Sequence, residues 1–143
     1  MIARSSNSPV LRIPRRRVRI VLALLTIPLF VAKPRVDAAP AQTVKLAIDY
    51  GDGAQLHFPA LSWREAMTAL DVLLLAQKHP HGVKFRHRGT GAHAKVEQIG
   101  DLTNQGDGKN WIYSVNGKRG EVSAGVQTLK NGDTVLWKFQ EYE

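Results

Sequence analysis

The chain has 143 residues, no cysteine and a formal net charge of +8, with an isoelectric point near 10.1. The length suits one domain core, and the missing cysteines exclude disulfides, thiol nucleophiles and thiolate metal sites together. Such a charge points to nucleic acid or an anionic surface, but residues 1–38 hold eight of the 20 Lys and Arg and one acid, Asp37, while residues 39–143 hold twelve bases and eleven acids.

The basic character thus belongs to the leader, and no nucleic-acid partner is expected of the nearly neutral domain. Residues 1–38 have the order of a secretory signal. Arg4, Arg12, Arg15, Arg16, Arg17 and Arg19 form a positive region, Ile20 to Ala32 is a largely apolar run of 13 residues with Pro28 inside it, and Val36 and Ala38 suit a cut before Ala39. The run is shorter than the roughly 20 residues that span a bilayer, so the expectation is a cleaved signal peptide and a secreted or extracytoplasmic protein, in the periplasm or at the cell surface. An uncleaved N-terminal anchor, which would tether the domain to the membrane, is the alternative. Arg16-Arg17 lacks the usual twin-arginine continuation, which favours ordinary secretion.

Residues 39–42 read as an Ala/Pro linker and residues 43–143 as the working domain. Val44, Leu46, Ile48 and Tyr50 alternate with Lys45, Ala47 and Asp49, the period of a half-buried strand. Gly51-Asp52-Gly53 supplies a turn, and Ala54 to Phe58 alternates again, predicting a hairpin that Pro59 ends. Ser62 and Glu65 have capping-box spacing, and a helix over Trp63–Gln77 follows. Its polar residues Arg64, Thr68, Asp71 and Lys78 leave one narrow wet stripe, so the helix should lie deep against a sheet. His79-Pro80 stops it.

Val83 to Arg88 alternates with one basic face, Lys84, Arg86 and Arg88, and Lys95 to Leu102 suits a further short strand. Thr103 to Asn110 is polar and Gly-rich, an exposed loop. Trp111, Tyr113 and Val115 then alternate with Ile112 and Ser114 and run into Asn116-Gly117, a strong hairpin signal. The return covers Lys118 to Val122. Asn131-Gly132-Asp133 turns the chain into Thr134–Gln140, where Val135, Trp137 and Phe139 share a face. Two strands, one helix and several strands define an α+β domain, with β-grasp-like order: a mixed sheet packed on one main helix.

Three segments carry a family resemblance: Thr68-Ala69-Leu70-Asp71-Val72-Leu73, Trp111-Ile112-Tyr113-Ser114-Val115-Asn116-Gly117, and Leu129-Lys130-Asn131-Gly132-Asp133-Thr134-Val135-Leu136-Trp137. In this order they resemble the transcobalamin-like C-terminal domain, a β-grasp-like module of largely unknown function found in secreted bacterial proteins. In transcobalamin and intrinsic factor this module is one of two halves that clasp cobalamin, the other being a large helical barrel. The resemblance implies ligand contacts at Trp111, Tyr113, Val115 and Gly117. The domain has no room for the barrel, so the resemblance implies a corrinoid binder that works either alone or, the more expected case, completed by a separate partner.

Other chemistry is weakly supported. Trp111 and Tyr113 offer rigid surface to a ligand, but alternating aromatics also fill cores. Among His57, His79, His81, His87 and His93 only His79 and His81 are close in sequence, short of a metal set. Asp101, Asn104 and Asp107 lack EF-hand spacing and the bidentate Glu. Neither Ser114 nor Ser123 has a nucleophile setting, no Gly-rich phosphate loop links a strand to a helix, and the terminal Gln140 to Glu143 is not the Gly-Gly of a ubiquitin-like carrier.

The expectation is a non-enzymatic binding or interaction module working through the Trp111–Gly120 hairpin, with no resident cofactor or metal and with a protein or small molecule as its unidentified ligand. Corrinoid binding is the alternative. A small hydrolase or metal-dependent enzyme built from scattered residues is the third reading.

Overall fold

The computed structural model describes residues 39–142. The predicted signal segment lies outside the described residues. Strand β1 (Thr43–Asp49) and strand β2 (Gln55–Ser62) form the first hairpin. Pro59 does not end β2 as expected; the ladder slips between Val44 and Leu46 and the strand continues to Ser62. Proline is tolerated there because β2 is an edge strand.

Helix α1 (Ala69–Lys78) starts six residues later than predicted. The cap is Thr68, whose hydroxyl accepts from Asp71 N–H at 3.3 Å, while Thr68 N–H donates to the Asp71 carboxylate at 2.9 Å. Ser62 instead ends β2 opposite Thr43. Between them Ala66 adopts φ +60, and the Ala69 and Leu129 N–H groups donate to Gln127 and Met67 carbonyls. Tertiary bonds therefore hold this stretch off the helical path. Ten residues form only a marginal helix alone, and burial of Ala69, Leu70, Val72, Leu73 and Ala76 holds this one. Thr68→Ala should lower stability by about 1 kcal/mol, read in a urea melt; an unchanged midpoint would show that the tertiary bonds alone set the helix start.

Strands β3 (Phe85–Arg88), β4 (Lys95–Ile99) and β5 (Leu102–Thr103) follow, with a short 3-10 turn, Gly91–His93, between β3 and β4. Strand β6 (Asn110–Val115) turns through Asn116-Gly117 into β7 (Lys118–Arg119), and β8 (Thr134–Gln140) completes the set. Asn116 at φ +50 and Gly117 at φ +81 are the left-handed pair that a type I′ hairpin turn requires.

These strands make two sheets. One has the order β2-β1-β8-β6-β7, the other β3-β4-β5. In the larger sheet β1 and β8 run parallel at its centre, from Lys45 opposite Thr134 to Asp49 opposite Lys138, while its other pairs are antiparallel. The domain is mixed α+β with one main helix, as expected, but the strands β3 to β5 form a sheet of their own rather than extending the first.

The inward rows of β1 (Val44, Leu46, Ile48), β6 (Trp111, Tyr113) and β8 (Val135, Trp137, Phe139) share one hydrophobic cluster with α1 and with Val96 and Ile99 of β4. No helix among the described residues is long and apolar enough to cross a membrane.

Candidate functional site

On its β7 side β6 is paired only at Ser114 and Val115, while β8 covers its other side throughout. The uncovered stretch, Trp111 to Tyr113, borders an open cleft of about 370 Å³. Ala92 to Val96 form one wall, Arg119, Gly120 and Val122 to Ala124 the other, and Asn104, Trp137 and Tyr142 complete the lining.

The aromatic residues are fixed before any ligand arrives. Trp111 is 5% exposed. Its indole N–H donates to the Leu102 carbonyl at 2.8 Å, its backbone N–H donates to Asn104 Oδ1 at 2.8 Å, and its ring meets Tyr50 edge-on and Phe139 at a tilt. Tyr113 is 7% exposed, with its hydroxyl donating to the Val122 carbonyl at 2.6 Å and its ring 5.3 Å from that of Trp137. Burial raises the Tyr113 phenol above the usual tyrosine range. Burial, then the nearby Asp101 charge, does the same for Tyr50. Both rings therefore favour the fold while neutral, and that contribution fades only in alkali, as pH climbs past the free tyrosine value of about 10 towards the raised one.

The wall from Arg119 to Ala124 is pinned at both ends. Gly120 N–H donates to the Tyr113 carbonyl at 2.9 Å. The Ser123 hydroxyl lies 2.9 Å from the Gly91 carbonyl and 2.7 Å from that of Ala94, joining the loop to the opposite wall. Ser123 thus holds the cleft's two sides together, with its proton directed at backbone carbonyls.

Of the four residues implied by the resemblance, two meet at this cleft. Trp111 and Tyr113 line it. Val115, half-buried, faces a smaller hollow with Lys118 and Gln127, and Gly117, exposed at the hairpin tip, borders a different one with Leu136 and Lys138. The hairpin does not present all four on one surface. Lys95, Arg119, Val122, Trp137 and Tyr142 join the two instead. Among these Trp137 carried a sequence signal through its place on one face of β8, and Arg119 and Val122 through theirs on the return of the predicted hairpin, whereas Lys95 and Tyr142 carried none as site residues.

The remaining candidates have local partners. Asn104 bonds the Val96 carbonyl and the Trp111 N–H, and Asn110 bonds the Gly106 and Gly108 carbonyls. The Asn104–Asp107 stretch is therefore a loop tied down by amides. Arg86 and Arg88 share one carboxylate, Glu97, at 3.9 and 3.3 Å, which breaks up the basic stripe. The His79 ring accepts from the His81 N–H at 3.2 Å and sits edge-on to Phe58. Among the described residues no three His, Asp or Glu side chains group as a metal site.

An α+β domain with a small-molecule-sized cleft between the end of its main sheet and two pinned segments is the class these features define. The chain belongs to the family described as Domain of unknown function (DUF4430), whose pattern matches residues 66–141. No curated protein matches the sequence.

Two solved structures are similar in fold. Haptocorrin in complex with Cbi aligns with a TM-score of 0.63 at 16% identity, over 71% of this chain and 25% of haptocorrin. A provisionally assigned metal binding protein from Ruminococcus gnavus ATCC 29149 aligns with a TM-score of 0.54 at 13% identity, over 71% of this chain and 99% of its own. This chain therefore spans only a quarter of haptocorrin. At these identities the likeness concerns the fold.

Proposed function

We propose that this is a non-enzymatic binding module, exported by its leader, that takes its ligand in the cleft between β4, β6 and the Arg119–Ala124 loop. The β-grasp-like reading of the fold and the transcobalamin-like relationship belong to the same proposal. They are supported by the parallel β1–β8 centre of the sheet and by the likeness to haptocorrin.

One observation carries the choice of surface. Three large hydrophobic residues are exposed among the described ones: Val122, Val126 and Tyr142. Two of them, Val122 and Tyr142, line this cleft. Contiguous exposed apolar surface and a concave site are both features of binding faces.

Ligand screening by thermal shift, followed by amide NMR of the bound protein, tests this. Ligands that raise the melting temperature should move the amide signals of residues 93–96 and 119–124. A ligand set that consistently maps to the outer sheet face or to a second hollow, lined by Leu56, Phe58, Leu61 and His79, would refute the assignment of the cleft.

The likeness to haptocorrin in complex with Cbi favours a corrinoid as the second reading. Trp111 and Trp137 line the cleft, so cobalamin seated there should change tryptophan emission. No change up to millimolar cobalamin would eliminate autonomous corrinoid binding and leave only binding completed by a separate helical partner.

A further inference from the structure

We propose that the cleft selects a small amphipathic organic anion: one carboxylate or phosphate group on an apolar body. The inference rests on the cleft being the binding site and adds the chemistry of what enters it.

Charge carries the first part. The lining includes His93, Lys95 and Arg119 and no Asp or Glu, the one acid of the neighbouring loop, Glu121, bordering the adjoining hollow instead, although residues 39–143 hold nearly equal numbers of bases and acids. The ion pairs elsewhere use Arg64, Arg86 and Arg88 with Asp71 and Glu97, and neither Lys95 nor His93 takes part in them. Arg119 is engaged, lying 5.1 Å over the Tyr142 ring, which places its charge at the mouth beside an apolar surface. Basic groups gathered around a concavity without acids raise the local concentration of anions.

Polarity and size carry the second part. Val122, 52% exposed, and Tyr142, 61% exposed, give the mouth an apolar side, while Trp111, Tyr113 and Trp137 present only small parts of their rings. A volume of about 370 Å³ lies at the lower end of small-molecule sites. An apolar body with one anionic group meets each of these features.

The test compares 2-naphthoate with the uncharged 2-naphthalenemethanol on the full chain, by amide NMR titration. Naphthoate should bind at least about fivefold more tightly, shift the signals around Lys95 and Val122–Ala124, and lose that preference as salt is raised. Lys95→Gln, a change at an exposed position, should weaken naphthoate about threefold and leave naphthalenemethanol unaffected, as expected for one solvent-facing charge. Equal affinities for the two probes, or a Lys95→Gln variant with unaltered preference, would overturn the anion inference while leaving the cleft as the site. If naphthoate shifts signals only outside the cleft, both this inference and the reading beneath it fall.

Discussion

Trp111→Ala should unfold the domain at a temperature at least about 12 °C lower. Truncating a buried tryptophan costs about 3–5 kcal/mol, and a domain of this size loses roughly 4–8 °C for each kcal/mol. Here the ring is 95% withdrawn from solvent against Phe139 and Tyr50, and its N–H is the partner of the Leu102 carbonyl in β5. The variant therefore loses core packing and one tie between the two sheets. Thermal melting by circular dichroism checks it, and a midpoint within about 5 °C of the parent would show that the ring is not a core member. Trp111→Phe keeps most of the ring and should lose about a third as much. A fall in ligand affinity on Trp111→Ala would thus report a damaged fold before it reported a lost contact.

Gly120→Ala should be nearly as damaging, by the opposite route. A Cβ at residue 120 would fall among the ring carbons of Tyr113, closer than real Cβ atoms approach. The ring has little freedom to yield, since its hydroxyl is held by the Val122 carbonyl at 2.6 Å and it packs at a tilt against Trp137. Overpacking of this kind costs about 1–3 kcal/mol, and the upper end applies because ring, hydrogen bond and loop must move together. Pairing Gly120→Ala with Tyr113→Leu removes the obstacle, so the double variant should be at least about 1 kcal/mol more stable than the two single losses add up to. Strict additivity in denaturant melts would mean that the loop, not the ring, had moved aside.

Features encoded within a few residues were legible in the sequence. Strand β8 runs over Thr134–Gln140 as its alternation predicts, and Asn116-Gly117 makes the expected turn, because side-chain period and left-handed turn chemistry are local properties. The helix start was not legible. Ser62/Glu65 and Thr68/Asp71 have the same capping chemistry, and the choice fell to bonds from Gln127 and Leu129, some sixty residues away. The same holds for the second sheet, whose strands resemble those of the first in pattern and differ only in their partners.

At the candidate site, the inward place of Trp111 and Tyr113 followed from alternation. The grouping of Lys95, Arg119 and Tyr142 did not, because it joins three separated elements whose meeting depends on the whole fold.

The parallel pairing of β1 with β8 also sets an order of events during synthesis. Strand β1 gains its β8 neighbour only after Thr134–Gln140 has been made, so the centre of the main sheet stays open while almost ninety intervening residues are produced. Pairings this distant in sequence close slowly. A nascent chain of this protein should therefore hold its first hairpin without its central partner until the last strand has been made, and complete the main sheet only after synthesis ends.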